Sequence, residues 1–110
     1  MDTKLAVTAL AALAQEHRLA AYRELVQAGP AGVPAGELAE RIGIPANTLS
    51  FHVKALSHAG LVESRHEGRY VYYSASFEAM NALLDYLSDN CCGGRPCKPT
   101  AVPARKRRTS

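Results

Sequence analysis

All three cysteines of this 110-residue chain, Cys91, Cys92 and Cys97, fall within seven positions of the stretch DNCCGGRPCKP. Thiols at this density have two chemical uses, as soft ligands for a thiophilic metal or metalloid and as partners in reversible disulfide chemistry. Adjacent cysteines diverge by about 100° on a regular helix, so Cys91 and Cys92 converge on one centre only if a helix ends before them. Asn90 marks such an end, and Gly93-Gly94 allows the chain to reverse. Four residues separate Cys92 from Cys97, a span of at most ~18 Å. That is ample to fold the third sulfur back, with Pro96 stiffening the approach.

The compartment bears on this chemistry. The N-terminal stretch MDTKLAVTALAALAQEHRLA is rich in Ala and Leu but interrupted by Lys4, Gln15, Glu16, His17 and Arg18. It offers neither a membrane-spanning run nor a secretory cleavage pattern, so a soluble, cytoplasmic protein with no membrane association is expected. An odd number of cysteines in that setting argues against a disulfide framework and for thiols kept reduced.

The elements that must position these groups are mostly helical. Leu5, Ala9 and Leu13 share one face, and Leu19, Tyr22, Leu25 and Val26 another, with QEH as the joint and AGPAG (28–32) as the break. Pro34 is placed to open a short third helix carrying Leu38, Ala39 and Ile42, which Gly43 stops. Pro45 opens a fourth helix at once, ending near Gly60. Two helices joined by a tight Gly-centred turn form a helix-turn-helix pattern.

LVESRHEGRYVYYSA (61–75) then supplies two Val/Tyr-rich stretches about a polar turn at Glu67-Gly68, which predicts a β-hairpin. A hairpin directly after a helix-turn-helix is a wing. SFEAMNALLDYLSDN (76–90) carries Phe77, Met80, Leu84 and Leu87 at spacings of three, four and three. A chain this small would bury that stripe most easily against a second copy of itself.

Net charge alone gives a poor argument about partners. From Arg95 onward there are six basic residues and no acid, which leaves seven basic against ten acidic residues in 1–94. The folded body is therefore acidic, and basicity sits on a Pro/Arg/Lys-rich tail in which little order is expected over 98–110. The expected organisation is a folded DNA-binding and dimerisation unit over 1–92 and a cysteine-containing, basic, largely flexible tail over 93–110.

The stretch ELAERIGIPANTLSFHVKALSHAGLVESRHEGRYVYYS (37–74), above all TLSFHVKALSHAGLV with EGRYVYYS, resembles the ArsR/SmtB family of winged helix-turn-helix metal-sensing repressors. The resemblance covers nearly the whole folded body. It implies a mainly α fold with a β-hairpin wing, forming a cytoplasmic homodimer that represses double-stranded operator DNA until an inducer lowers its affinity.

On the fourth helix, Leu49, Val53 and Leu56 cluster within about 60° as a buried stripe. Asn47, Ser50, Phe51 and Lys54 lie opposite and are the groove-facing candidates. Asn47 suits adenine, Ser50 a base or phosphate, Phe51 a thymine methyl and Lys54 a phosphate, while Thr48 is placed to anchor the backbone at the groove edge. His52 flanks the buried stripe and reads as a packed, hydrogen-bonded structural histidine. Arg65 and Arg69 bracket the wing turn and are candidates for a flanking minor groove or phosphates. His58 and His66 have no ligand-spaced partner and His17 sits at a helix start, so solvated or capping roles are expected for all three.

The family's better-known metal sites are not matched here. PAGELAERIG has no cysteine where arsenic-responsive relatives often carry a cluster, and the last helix has Asp85 and Asp89 but no histidine for zinc. Cys91, Cys92 and Cys97 are then the candidate ligands. Three thiolates without a neighbouring histidine suit a pyramidal ion better than structural zinc, which wants four ligands. The expectation is As(III) or Sb(III) as inducer with no obligatory cofactor; a thiol redox switch, for example through Cys92 and Cys97, or another thiophilic metal would use the same residues. A thiol enzyme is disfavoured, because there is neither a CxxC nor a βαβ pattern.

Overall fold

The computed structural model describes residues 1–94. Their elements run in the order α1 (Thr3–Leu13), α2 (Glu16–Ala28), β1 (Val33–Pro34), α3 (Ala35–Ile42), α4 (Ala46–His58), β2 (Val62–Glu67), β3 (Tyr70–Ala75) and α5 (Phe77–Ser88), followed by a single 3₁₀ turn, Cys91–Gly94. The sheet is antiparallel with order β1-β3-β2. Cys97 and most of the basic tail, including the stretch expected to lack order, lie outside the described residues. Among the described residues, no helix is long and apolar enough to cross a membrane.

The helix boundaries follow from local chemistry. Gln15 caps α2 by accepting from the Arg18 amide, and Ser76 caps α5 by accepting from the Ala79 amide. Pro34 and Pro45 occupy the caps of α3 and α4. Gly43, at φ +75°, ends α3 in the left-handed region that a side chain would disfavour. Its amide reaches the Glu40 carbonyl at 3.2 Å and the Ile44 amide reaches Ala39 at 3.1 Å, so the turn into α4 leaves few orphaned groups.

A single core lies between the helices and the sheet. Leu25, Leu38, Leu49, Leu56, Leu61 and Val33 are its largest fully buried side chains, and each contributes roughly 1.5–3 kcal/mol of transfer free energy. The hairpin is fastened to α4 through the Leu61 amide on Leu56 at 3.0 Å and the Ser76 amide on Leu61 at 2.8 Å. On the outside, Arg41 of α3 pairs with Glu24 of α2 at 3.4 Å and with Glu37 on its own helix.

The N-terminal faces differ in detail from the expected ones. Ala9, Tyr22 and Leu25 are buried as expected, but Leu5 and Leu19 are exposed and Ala6 and Ala21 take the inner places. Small residues there let α1 and α2 pack at close range.

Candidate functional site

Helix α4 presents two chemically distinct faces. Leu49, His52, Val53 and Leu56 are buried, whereas Asn47, Ser50, Phe51 and Lys54 are exposed and Thr48 is half-buried. Phe51 is 69% exposed and is the large apolar side chain on this outer face. The start of α4 has no side-chain cap bond and no acid in its first turn. By contrast α2, α3 and α5 carry Glu16, Glu37 and Glu78 there. The Thr48 amide donates to the Asn47 Oδ1 at 3.0 Å; with no acid in the first turn, the helix dipole still favours anions such as phosphate, so the N-terminal end of α4 suits a polyanion.

The wing projects beside this helix. Gly68, at φ +62°, makes the tight β2–β3 turn, with Glu67 opposite Tyr70 in register. Arg69 sits at the tip and makes no ion pair among the described residues. Arg65 instead turns its donors onto its own chain, at the surface. Its Nε donates to the Glu67 carboxylate at 2.6 Å, its Nη2 to the Ala31 carbonyl at 2.9 Å, and its guanidinium lies over the Tyr72 ring, 4.7 Å from the centroid.

Two features escaped the sequence reading. Tyr70, next to Arg69, is 65% exposed; its position beside the turn was the available signal. His17 and His52 form a ring pair across α2 and α4, with centroids 5.6 Å apart, a contact that no sequence spacing announces. His52 is buried as expected, but its Nδ1 has no hydrogen-bond partner among the described residues. Burial, and then the positive charges of Arg18 and His17, push its pKa below the ordinary histidine value.

The cysteines form a second locus at the end of α5. Cys91 and Cys92 are exposed, with sulfurs 3.6 Å apart. Left-handed backbone begins at Asn90 (φ +57°) and recurs at Cys92 (φ +59°), which breaks the helical divergence of adjacent side chains and brings the two sulfurs together. Two bonds of about 2.3 Å meeting at an angle between 90° and tetrahedral would hold sulfurs about 3.3–3.8 Å apart, so this pair suits one thiophilic centre. No cluster of three or more His, Cys, Asp or Glu that could hold a metal occurs among the described residues.

This chain resembles known helix-turn-helix regulators. A helix-turn-helix domain family model matches residues 13–65. The nodulation protein NolR of Rhizobium meliloti is 34% identical over 88 residues, covering 80% of this chain and 70% of that one. The arsenical resistance operon repressor of Bacillus subtilis is 35% identical over 81 residues, covering 74% and 73%. Among solved structures, the homodimeric winged helix-turn-helix DNA-binding domain of Mb0332 from Mycobacterium bovis, a possible ArsR-family transcriptional regulator, superposes with a TM-score of 0.64 at 26% identity, covering 87% of this chain and 89% of that one. With its recognition helix, wing and core arranged in the same way, the chain belongs to the ArsR family of winged helix-turn-helix transcriptional regulators, and it is a DNA-binding protein rather than an enzyme.

Proposed function

We propose that the protein is a homodimeric repressor that leaves its operator when As(III) or Sb(III) is bound by Cys91, Cys92 and Cys97. The observation that carries this reading is the 3.6 Å approach of two exposed sulfurs at the end of α5. Its family membership and its likeness to an arsenical resistance operon repressor support it.

On DNA, α4 enters the major groove. Asn47, Ser50 and Phe51 face base edges, Thr48 and Lys54 face the backbone, and Arg69 reaches the flanking phosphates. Exposed Leu84 and Leu87 on α5 join a second copy and so set the spacing of two recognition helices about one DNA turn apart; the Mb0332 domain, which this chain resembles, is homodimeric.

Trivalent arsenic arrives as a hydroxide. Each As–S bond forms as one hydroxide leaves with a thiol proton as water, so three thiols release three waters and no atom changes oxidation state. Tying the end of α5 to the tail constrains the helix that spaces the two recognition helices. A preference of the bound state for another subunit orientation worth ~1–3 kcal/mol suffices for a useful switch.

The test is fluorescence anisotropy of the reduced protein on DNA from its own upstream region, titrated separately with arsenite, antimonite, zinc and hydrogen peroxide. Arsenite or antimonite is expected to release the DNA, with zinc and peroxide inert. Replacing Cys91, Cys92 or Cys97 by Ser should leave operator binding intact and abolish release. Release by peroxide alone would make the cysteines a redox switch, release by zinc alone would assign them to another thiophilic metal, and normal release from the Ser variants would remove them from the signal altogether.

A further inference from the structure

At its base the wing is fastened to α4 through Leu61, but toward the start of the helix-turn-helix it is joined only through the two-residue strand β1 among the described strands, which is a weak joint. One of the two is Pro34, which has no N–H to give to the ladder, so the pairing of Val33 with Tyr73 and of Pro34 with Tyr72 rests on few hydrogen bonds. Two further contacts reinforce it. A Cβ at Gly32 would lie 2.5 Å from the Tyr73 carbonyl oxygen, so glycine is required for the backbone to run this close to β3. The other contact is Arg65, which stands opposite Tyr72 in the β2–β3 register. It covers the Tyr72 ring and donates across it to the Ala31 carbonyl. One side chain thereby links β2, β3 and the loop that leads through β1 into α3.

We propose that Arg65 is a positioning residue: it fixes the wing against the loop entering the helix-turn-helix and so sets where Arg69 meets the DNA backbone, without itself contacting phosphate. This rests on the DNA-binding reading. The requirement is geometric, because a guanidinium can stack its face on a ring while its edge donates in two fixed directions, whereas a lysine ammonium is a compact point charge on a flexible stem. The Glu67 carboxylate at 2.6 Å also offsets the charge that Arg65 could offer a phosphate. Arg69, at the tip, has no such counter-charge among the described residues.

The experiment compares Arg65→Lys and Arg65→Gln, each alone and combined with Arg69→Gln. The readouts are the salt dependence of operator binding and amide exchange over residues 31–33 in the free protein. Both Arg65 variants are expected to lose protection at 31–33 and to weaken binding several-fold, Lys as much as Gln despite its retained charge. In the Arg69→Gln background the further loss should vanish, because Arg65 acts through Arg69. The proposal is overturned if Arg65→Lys binds like the wild type while Arg65→Gln lowers the salt slope by about one, the mark of a lost phosphate contact. It is equally overturned if the loss persists at full size without Arg69. Should the wild type bind no DNA, the operator reading falls by itself, and unaltered exchange at 31–33 in the free variants would still rule out the strut.

Discussion

Helices α4 and α5 are nearly equal in length, 13 and 12 residues, yet they complete their packing in different ways. Helix α4 buries Leu49, His52, Val53 and Leu56 within its own chain and turns a largely polar face outward. Helix α5 buries only Leu83, packs Phe77, Ala79 and Tyr86 partly against the core, and leaves Leu84 and Leu87 more than half exposed. The difference teaches where each helix finds its stability. The recognition helix is held by the fold of one chain, whereas α5 leaves apolar side chains on its outer face that its own chain does not cover.

Breaking the outer face of α5 should have the largest effect. In a Leu84→Asp/Leu87→Asp variant, two charges would have to be desolvated to form the interface, so the protein is expected to sediment as a monomer. Operator affinity should drop by about 10²–10⁴-fold, the usual range when linked binding is lost. Circular dichroism should still report the helical fold, because neither residue belongs to the core cluster. A dimer that survives the double substitution would place the subunit contact elsewhere.

How far the sequence could anticipate this contrast depends on what periodicity encodes. The caps at Pro34, Gly43 and Pro45, the hairpin turn and the buried face of α4 were legible because each rests on local chemistry or on a single amphipathic stripe. The stripe Phe77, Met80, Leu84 and Leu87 was legible as apolar, and its outward residues fit the expected use against a partner. The inward contact at Leu83, about 80° away from the stripe centre, was not foreseen, because a helix with two apolar faces gives no sign of which faces home. The two-residue strand β1 has no alternation to detect. The contact of Arg65 with Ala31 spans 34 residues and no local pattern encodes it. The helix end before Cys91 and Cys92 was legible at Asn90, but the left-handed backbone at Asn90 and Cys92 that brings the sulfurs together was not, because neither residue is a glycine.

A sharper comparison lies within α4 itself. Leu56→Ala removes a side chain with no solvent exposure and should cost ~2–5 kcal/mol of unfolding free energy. Phe51→Ala removes a larger side chain from the outer face and should change stability by no more than ~0.5 kcal/mol, while costing ~1–2 kcal/mol of operator affinity, roughly tenfold. Chemical denaturation and anisotropy on the same two variants measure the crossover. Equal loss of stability in both would mean that Phe51 is covered by the protein rather than by DNA.

The smallest effect concerns how α4 is seated. His52 meets two cationic neighbours on α2, Arg18 and His17, and no carboxylate is among the causes of its shift. Its pKa is therefore lower in the folded protein than the 6.5 of an unperturbed histidine, so the unfolded chain takes up this proton first as pH falls. The sign follows from linkage: the contribution is fully present above 6.5 and is lost as pH drops through that value toward the folded pKa. Wild-type stability should thus decline more steeply on acidification from about pH 7 to 5.5 than that of His52→Gln, whatever the variant's absolute stability. Denaturant midpoints across that range give both slopes. Parallel slopes would mean that protonated His52 is accommodated without cost, and that α4 is held against α2 by its leucines alone.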